Sequence, residues 1–138
     1  MTSGFLARDM AISVFTAWFA AQVLLKIITA SYKKKKFFWK AAFMGGGMPS
    51  GHSALVAALL TAIALSQGFS VILIMAFVFS AIVIYEVLLA KRVVADFLNV
   101  IAEKHPKKHL LEELGHSIME VLVGVLIGVV VVLAFYYR

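Results

Sequence analysis

Apolar positions run almost unbroken through four stretches of the chain, at about residues 10–30, 52–67, 70–90 and 116–137, and polar positions gather between them. About 20 apolar residues carry a straight helix across a bilayer, so each stretch is long enough or apolar enough to be a span. The second is the shortest, and only Gly68 to Ser70 separates it from the third, which predicts a transmembrane helical hairpin. Between the third and fourth stretches Val93, Val94, Phe97, Leu98, Ile101 and Ala102 recur at helical spacing among Asp96, Asn99 and Glu103. This pattern continues the third helix beyond the membrane as a partly amphipathic extension that ends near His105-Pro106. The expected fold is all-α, an integral membrane bundle of about four transmembrane helices with a cytoplasmic helical extension. All 138 residues form one transmembrane domain in this reading, with loops at 31–51 and 91–115.

Composition supports the membrane reading. Hydrophobic residues make up 63% and charged residues 14% of the 138, and mean hydropathy is +1.00, far from the soluble range. The net charge of +6 would point to nucleic acid in a soluble protein. Here the basic residues flank apolar spans, so the expected partners are anionic lipids and no nucleic acid. There is no cysteine, which excludes disulfides, thiolate nucleophiles and Cys-ligated metal. Lys26, Lys33 to Lys36, Lys40, Lys91, Arg92, Lys104, Lys107 and Lys108 fall on one side of the predicted spans, and only Arg8 and Arg138 on the other. The positive-inside rule makes the crowded side cytoplasmic and puts both chain ends outside. Arg8 and Asp9 before the first span, and lysines rather than a small-residue cleavage site behind it, argue against a removable signal peptide.

Two short motifs carry chemistry. Gly45-Gly46-Gly47-Met48-Pro49-Ser50-Gly51-His52-Ser53 opens the second span. Proline is tolerated in a first helical turn and serine caps free amides. The backbone N–H groups near Gly51 would then offer a phosphate the positive end of the helix dipole, with His52 placed to give or take a proton. An interfacial loop with an idle histidine fits the same residues. At the fourth span, His116 and Glu120 are four apart and share a helical face. A carboxylate on one imidazole nitrogen fixes the tautomer and makes the other a better nucleophile or base. An anchoring pair is the alternative, although a glutamate ahead of Val121-Leu122-Val123 sits in an apolar span where ionisable groups are costly.

The basic residues serve topology and headgroup contact, yet phosphoryl transfer also needs fixed cations. Arg92 is the favoured phosphate ligand because a guanidinium holds two oxygens at once, with Lys91 and Lys40 beside it as candidates. Glu86 is a candidate orienting group or a partner for Arg92. His105 and His109 have Pro106 between them, which breaks the helical spacing of a metal-binding pair, so no metal site is expected. Gly124 and Gly128 form a small-residue face that can pack within the chain or against a second copy, leaving a homo-oligomer open.

Gly46-Gly47-Met48-Pro49-Ser50-Gly51-His52-Ser53-Ala54 and Gly115-His116-xxx-Glu120-Val121, taken together, resemble the superfamily of type-2 phosphatidic acid phosphatases and vanadium haloperoxidases, most closely its small divergent branch. Tyr85-Glu86 and Lys91-Arg92 resemble that branch's tyrosine–aspartate and paired-arginine positions. Lys33 and Lys40 reproduce the spacing of the two cations in the superfamily's arginine-proline motif, and Glu120 stands where the wider superfamily has aspartate. The resemblance implies a membrane lipid phosphatase that needs no metal or other cofactor and acts through a phosphohistidine. His116 would be the nucleophile, Glu120 its orienting carboxylate and His52 the proton donor; Arg92, Lys40 and the amides near Gly51 would hold the phosphate, and vanadate would inhibit. The implied substrates are lipid phosphates, such as a phosphatidylglycerophosphate-like lipid or an isoprenoid phosphate or diphosphate. Readings from other classes are a transporter subunit or assembly partner, and a lipid-phosphate-binding protein without turnover.

Overall fold

The computed structural model describes residues 7–44, 46–101 and 116–138, the side chains of 98–101 excepted. The first rod, Ala7–Lys34, consists of α1 (Ala7–Phe19), a π-helical segment (Ala20–Leu25) and α2 (Lys26–Lys34) in direct succession. A 3-10 turn (Trp39–Phe43) and the glycine-rich loop lead into α3 (Gly51–Gln67). Two long apolar helices follow, α4 (Val71–Ile101) and α5 (Ile118–Tyr136). Among the described residues there is no strand, and the molecule is a membrane helical bundle. The rod, α4 and α5 are each long and apolar enough to span; α3, with 17 residues, is shorter.

Local chemistry sets the boundaries. Lys35 ends α2 in the left-handed region (φ 51°), and the chain reverses as Lys36 N–H bonds to Ser31 O at 3.2 Å. Ser50, in extended conformation, caps α3 by accepting from Ser53 N at 3.4 Å. Pro49 therefore lies before the cap, joined to Met48 by a cis peptide, and not within the first turn as its chemistry predicts. Gly68 stops α3 at φ 64°, a backbone state that suits glycine. Ser70 then caps α4, accepting from Leu73 N at 3.2 Å, and the predicted hairpin forms. Ser117 and Glu120 close a reciprocal capping box at the start of α5.

The short helix α3 is the centre of the bundle, packed on α1, α4 and α5. Its residues there are small, so backbones approach closely: Ala54, Ala58 and Ala62 are fully buried. A Cβ on Gly124 would lie 2.4 Å from Ser50 O, and one on Gly128 2.4 Å from Ala54 O. The small-residue face of α5 is therefore used inside the chain, against α3. Val14, Ala17, Ala58, Ala62 and Val132 complete the core where α1, α3 and α5 meet. Helix α4 touches the bundle along one stripe, with Ala76 and Ser80 buried, and Ser80 Oγ donates to Ala76 O at 2.7 Å. Its other faces expose Ile72, Met75, Phe77, Val78, Phe79 and Ile82, a surface for lipid tails. Beyond the membrane α4 continues without a break to Ile101, as the sequence pattern predicts; the end expected near His105-Pro106 lies outside the described residues.

Candidate functional site

The two histidine motifs meet at one end of the bundle. Ser50 N–H donates to Glu120 O at 3.0 Å, tying the mouth of α3 to the first turn of α5, and His116 N–H reaches Val87 O of α4 at 3.4 Å. These main-chain links bring the His52 and His116 rings to a centroid separation of 6.5 Å, with their planes 62° apart. His52 is exposed. His116 is only 2% exposed, and among the described residues neither of its ring nitrogens has a hydrogen-bond partner. Its Nδ1 lies 3.4 Å from Glu120 Oε2, near enough to feel the charge without the alignment of a hydrogen bond. That same oxygen accepts Ser117 N–H at 2.7 Å, so the capping box holds the carboxylate in place. Burial pulls the His116 pKa well below the ordinary 6.5, the Lys26 ammonium adds to this, and Glu120 opposes it. The imidazole is neutral at neutral pH, with a lone pair available for attack or proton transfer.

Lys26 is the residue that sequence reasoning misplaced. It is 2% exposed, inside the rod and under the glycine-rich loop, and not at the membrane surface with the topology-setting lysines. Its Nζ donates to Met44 O at 2.6 Å and to Gln22 Oε1 at 3.3 Å. Gln22 Nε2 donates to Ala42 O at 2.8 Å, and Thr29 Oγ1 to Met48 O. Three side chains on one helical face thus hold three carbonyls of the loop. The signal was present: Gln22, Lys26 and Thr29 follow a helical repeat within an apolar stretch, where polar groups need partners.

Beside the histidine pair lies a cavity of about 550 Å³ lined by Lys26, Lys33, Lys34, Lys91, Phe38 and Glu120, among others. The histidines do not line it; Glu120 is the wall between the two. The other predicted phosphate ligands are placed differently. Lys91 faces the cavity, but Arg92 is exposed and outside its lining, because successive helical residues point about 100° apart. Lys40 is exposed on the 3-10 turn, off the cavity. Ser50 is fully buried, its Oγ accepting from Ser53 Oγ at 2.9 Å. A Cβ on Gly51 would stand 2.2 Å from Gln22 Oε1, so packing against the rod requires this glycine, and its Cα is not open to an anion. Glu86 is exposed on α4, while His105 and His109 lie outside the described residues.

The sequence model of the divergent PAP2 family matches residues 6–131. The chain belongs to that family. It is also similar to the uncharacterized membrane protein YuiD of Bacillus subtilis (strain 168), with 31% identity over 91% of this chain and 92% of the relative. No solved structure matches. This member of the divergent PAP2 family is a phosphatase-related integral membrane protein, and the two histidine motifs that carried the resemblance are the ones that meet at the mouth of α3.

Proposed function

We propose that the protein is a membrane lipid phosphatase that releases phosphate from a lipid phosphomonoester or diphosphate through a phosphohistidine. The observation that carries this reading is His116: buried, kept neutral, without a hydrogen bond among the described residues, with a carboxylate on one side and a second imidazole on the other. A phosphoryl group placed about 3 Å from each of two catalytic nitrogens spans roughly 6 Å, which the 6.5 Å ring separation accommodates. Once Nδ1–H turns onto Glu120, 3.4 Å away, the lone pair of Nε2 forms the N–P bond as the P–O bond to the leaving group breaks. His52 gives its proton to the departing alkoxide. Water then attacks phosphorus, His52 takes the proton of that water, and the N–P bond electrons return to His116. Lys26, whose charge acts on His116, and Lys91, which shares the cavity wall with Glu120, supply in this reading the field that stabilises the charge on the equatorial oxygens. Arg92 and Lys40 would have to move to join them. In this reading the site opens to the cytoplasm beneath the lysine cluster and serves lipids of the inner leaflet, phosphatidylglycerophosphate-like or isoprenoid.

The test is phosphate release by the purified protein from a panel of lipid phosphates. His116→Ala is expected to lower the rate by at least about a thousandfold, and His52→Ala by about a hundredfold or more, most for poor leaving groups. Rapid acid quench should trap label on His116, vanadate should inhibit as a mimic of five-coordinate phosphorus, and chelators should leave the rate unchanged. Full activity of a folded His116→Ala protein overturns the assignment, and a strict requirement for added divalent metal overturns the metal-independent mechanism. Binding of lipid phosphate without any release would instead identify a binding protein.

A further inference from the structure

The segment that joins the first rod to the glycine-rich loop has two faces. Its 3-10 turn (Trp39–Phe43) repeats every three residues, and burial follows that repeat. Phe38, Ala41 and Met44 line the cavity, whereas Phe37 and Phe43 are 77% and 83% exposed and Lys40 is exposed between them. Trp39, also exposed, joins the outer face, its ring 6.1 Å from that of Phe43 in an edge-on contact. The inner face is fixed to the rod. Phe38 N–H donates to Ser31 Oγ at 2.9 Å, and the carbonyls of Ala42 and Met44 accept from Gln22 and Lys26. Among the described residues nothing covers the outer face. Three exposed aromatic rings are costly in water and a lysine in their midst is costly in hydrocarbon, whereas the headgroup layer of a bilayer accommodates both. The charge is equally one-sided. Lys35 and Lys36 lie just before the turn, both exposed, and no Asp or Glu occurs between Asp9 and Glu86, so the anions that answer these cations come from outside this stretch of the chain. The segment also begins where a membrane-spanning rod ends, which is the level of the headgroups.

We infer that residues 37–44 form a strap that docks on the anionic headgroup layer of the protein's own bilayer, and that lipids which are never cleaved control the site through it. Seating Trp39 and Phe43 among headgroups holds the opposite face, Ala41 and Met44, in place as the cavity wall across from Glu120. The docking stands on the strap alone; the control of turnover rests on the phosphatase reading.

Trp18→Phe leaves Trp39 as the only tryptophan. The full chain with this change is reconstituted in phosphatidylcholine vesicles without and with about 30 mol% phosphatidylglycerol, a phosphodiester that has no terminal phosphate to release. In the anionic vesicles Trp39 is expected to lose access to acrylamide and to be quenched more by lipids brominated near the headgroup than by those brominated near the chain end. Phosphate release from dioleoyl phosphatidic acid, held at a low and fixed fraction, should rise at least about threefold with phosphatidylglycerol, and the rise should fade at high salt. Lys35→Gln, Lys36→Gln and, separately, Trp39→Ser, Phe43→Ser should flatten that rise while keeping the rate in pure phosphatidylcholine, and inorganic phosphate should not replace the lipid. Trp39 that stays open to acrylamide in anionic membranes overturns the docking, whatever the rate of release, and assigns the strap to a soluble partner or a second copy. Equal burial of Trp39 in neutral and anionic vesicles overturns the preference for anions. A docked Trp39 with release that ignores phosphatidylglycerol, or a rise that both double variants keep, overturns the control and leaves the phosphatase standing. A docked Trp39 with no release from any lipid phosphate overturns the phosphatase and the control together and retains the surface.

Discussion

The surroundings of His116 set its charge state, and that charge state carries a pH signature. A histidine whose pKa is lowered by folding stays neutral in the native protein where the unfolded chain is already protonated. Its contribution to stability is therefore complete above the ordinary pKa of 6.5 and declines as pH falls below it. Under the proposed mechanism, the acid limb of kcat/KM that His116 sets should lie below the usual histidine range. Lys26→Met removes a positive charge that disfavours the imidazolium, so it should move that limb to higher pH while lowering the rate; a limb that stays in place would show that Lys26 acts only through the loop. Much of this site was legible in single residues. The four-residue spacing of His116 and Glu120, and a histidine just inside a capped helix, pointed to both halves. Lys26 was hidden because a lysine near the end of an apolar stretch reads as a topology signal. Arg92 was favoured on the chemistry of the guanidinium, but helical phase, which that chemistry does not report, turns its neighbour Lys91 to the cavity.

At the scale of elements, hydropathy was enough to place the helices, and Gly68 with Ser70 announced the hairpin. What it did not contain was the phase of the first rod. Ala21 and Lys26 are both buried and are five residues apart, the repeat of the π turn between them and not of an α-helix. In a regular helix the inward place after Ala21 would fall to Leu25, and Lys26 would swing toward lipid. The wide turn lets one rod present small apolar residues to the core and a polar face to the loop. Helix α5 has a different constraint: the backbone carbonyls of α3 fill the space where a side chain would begin. Gly128→Ala puts a methyl group 2.4 Å from Ala54 O and 2.9 Å from Ala58 N, neither of which can rotate away. The expected cost is about 1–3 kcal/mol, visible as a lower melting temperature in detergent. An unchanged melt would mean that the α3–α5 seam is looser than described.

For the whole molecule, the proposed orientation has a clean assay, because the chain lacks cysteine. Lys35→Cys should react with an impermeant maleimide only from the cytoplasmic side and Arg138→Cys only from the other; the reverse pattern would put the site outside. The hairpin arms also differ in reach. Helix α4, with 31 residues, extends about 46 Å, whereas α3, with 17, extends about 25 Å. The histidine site at the mouth of α3 is consequently recessed between the end of the rod and the continuing α4. A hydrocarbon core is about 30 Å thick, so the central helix is too short for the bilayer by roughly 5 Å. Because α3 is covered by α1, α4 and α5, the shortfall leaves a recess at its mouth, into which a lipid phosphate has to descend under the proposed mechanism. Under that mechanism bilayer thickness controls turnover: reconstituted in phosphatidylcholine vesicles of increasing acyl length, the protein should hydrolyse the same lipid phosphate fastest in the thinnest membranes.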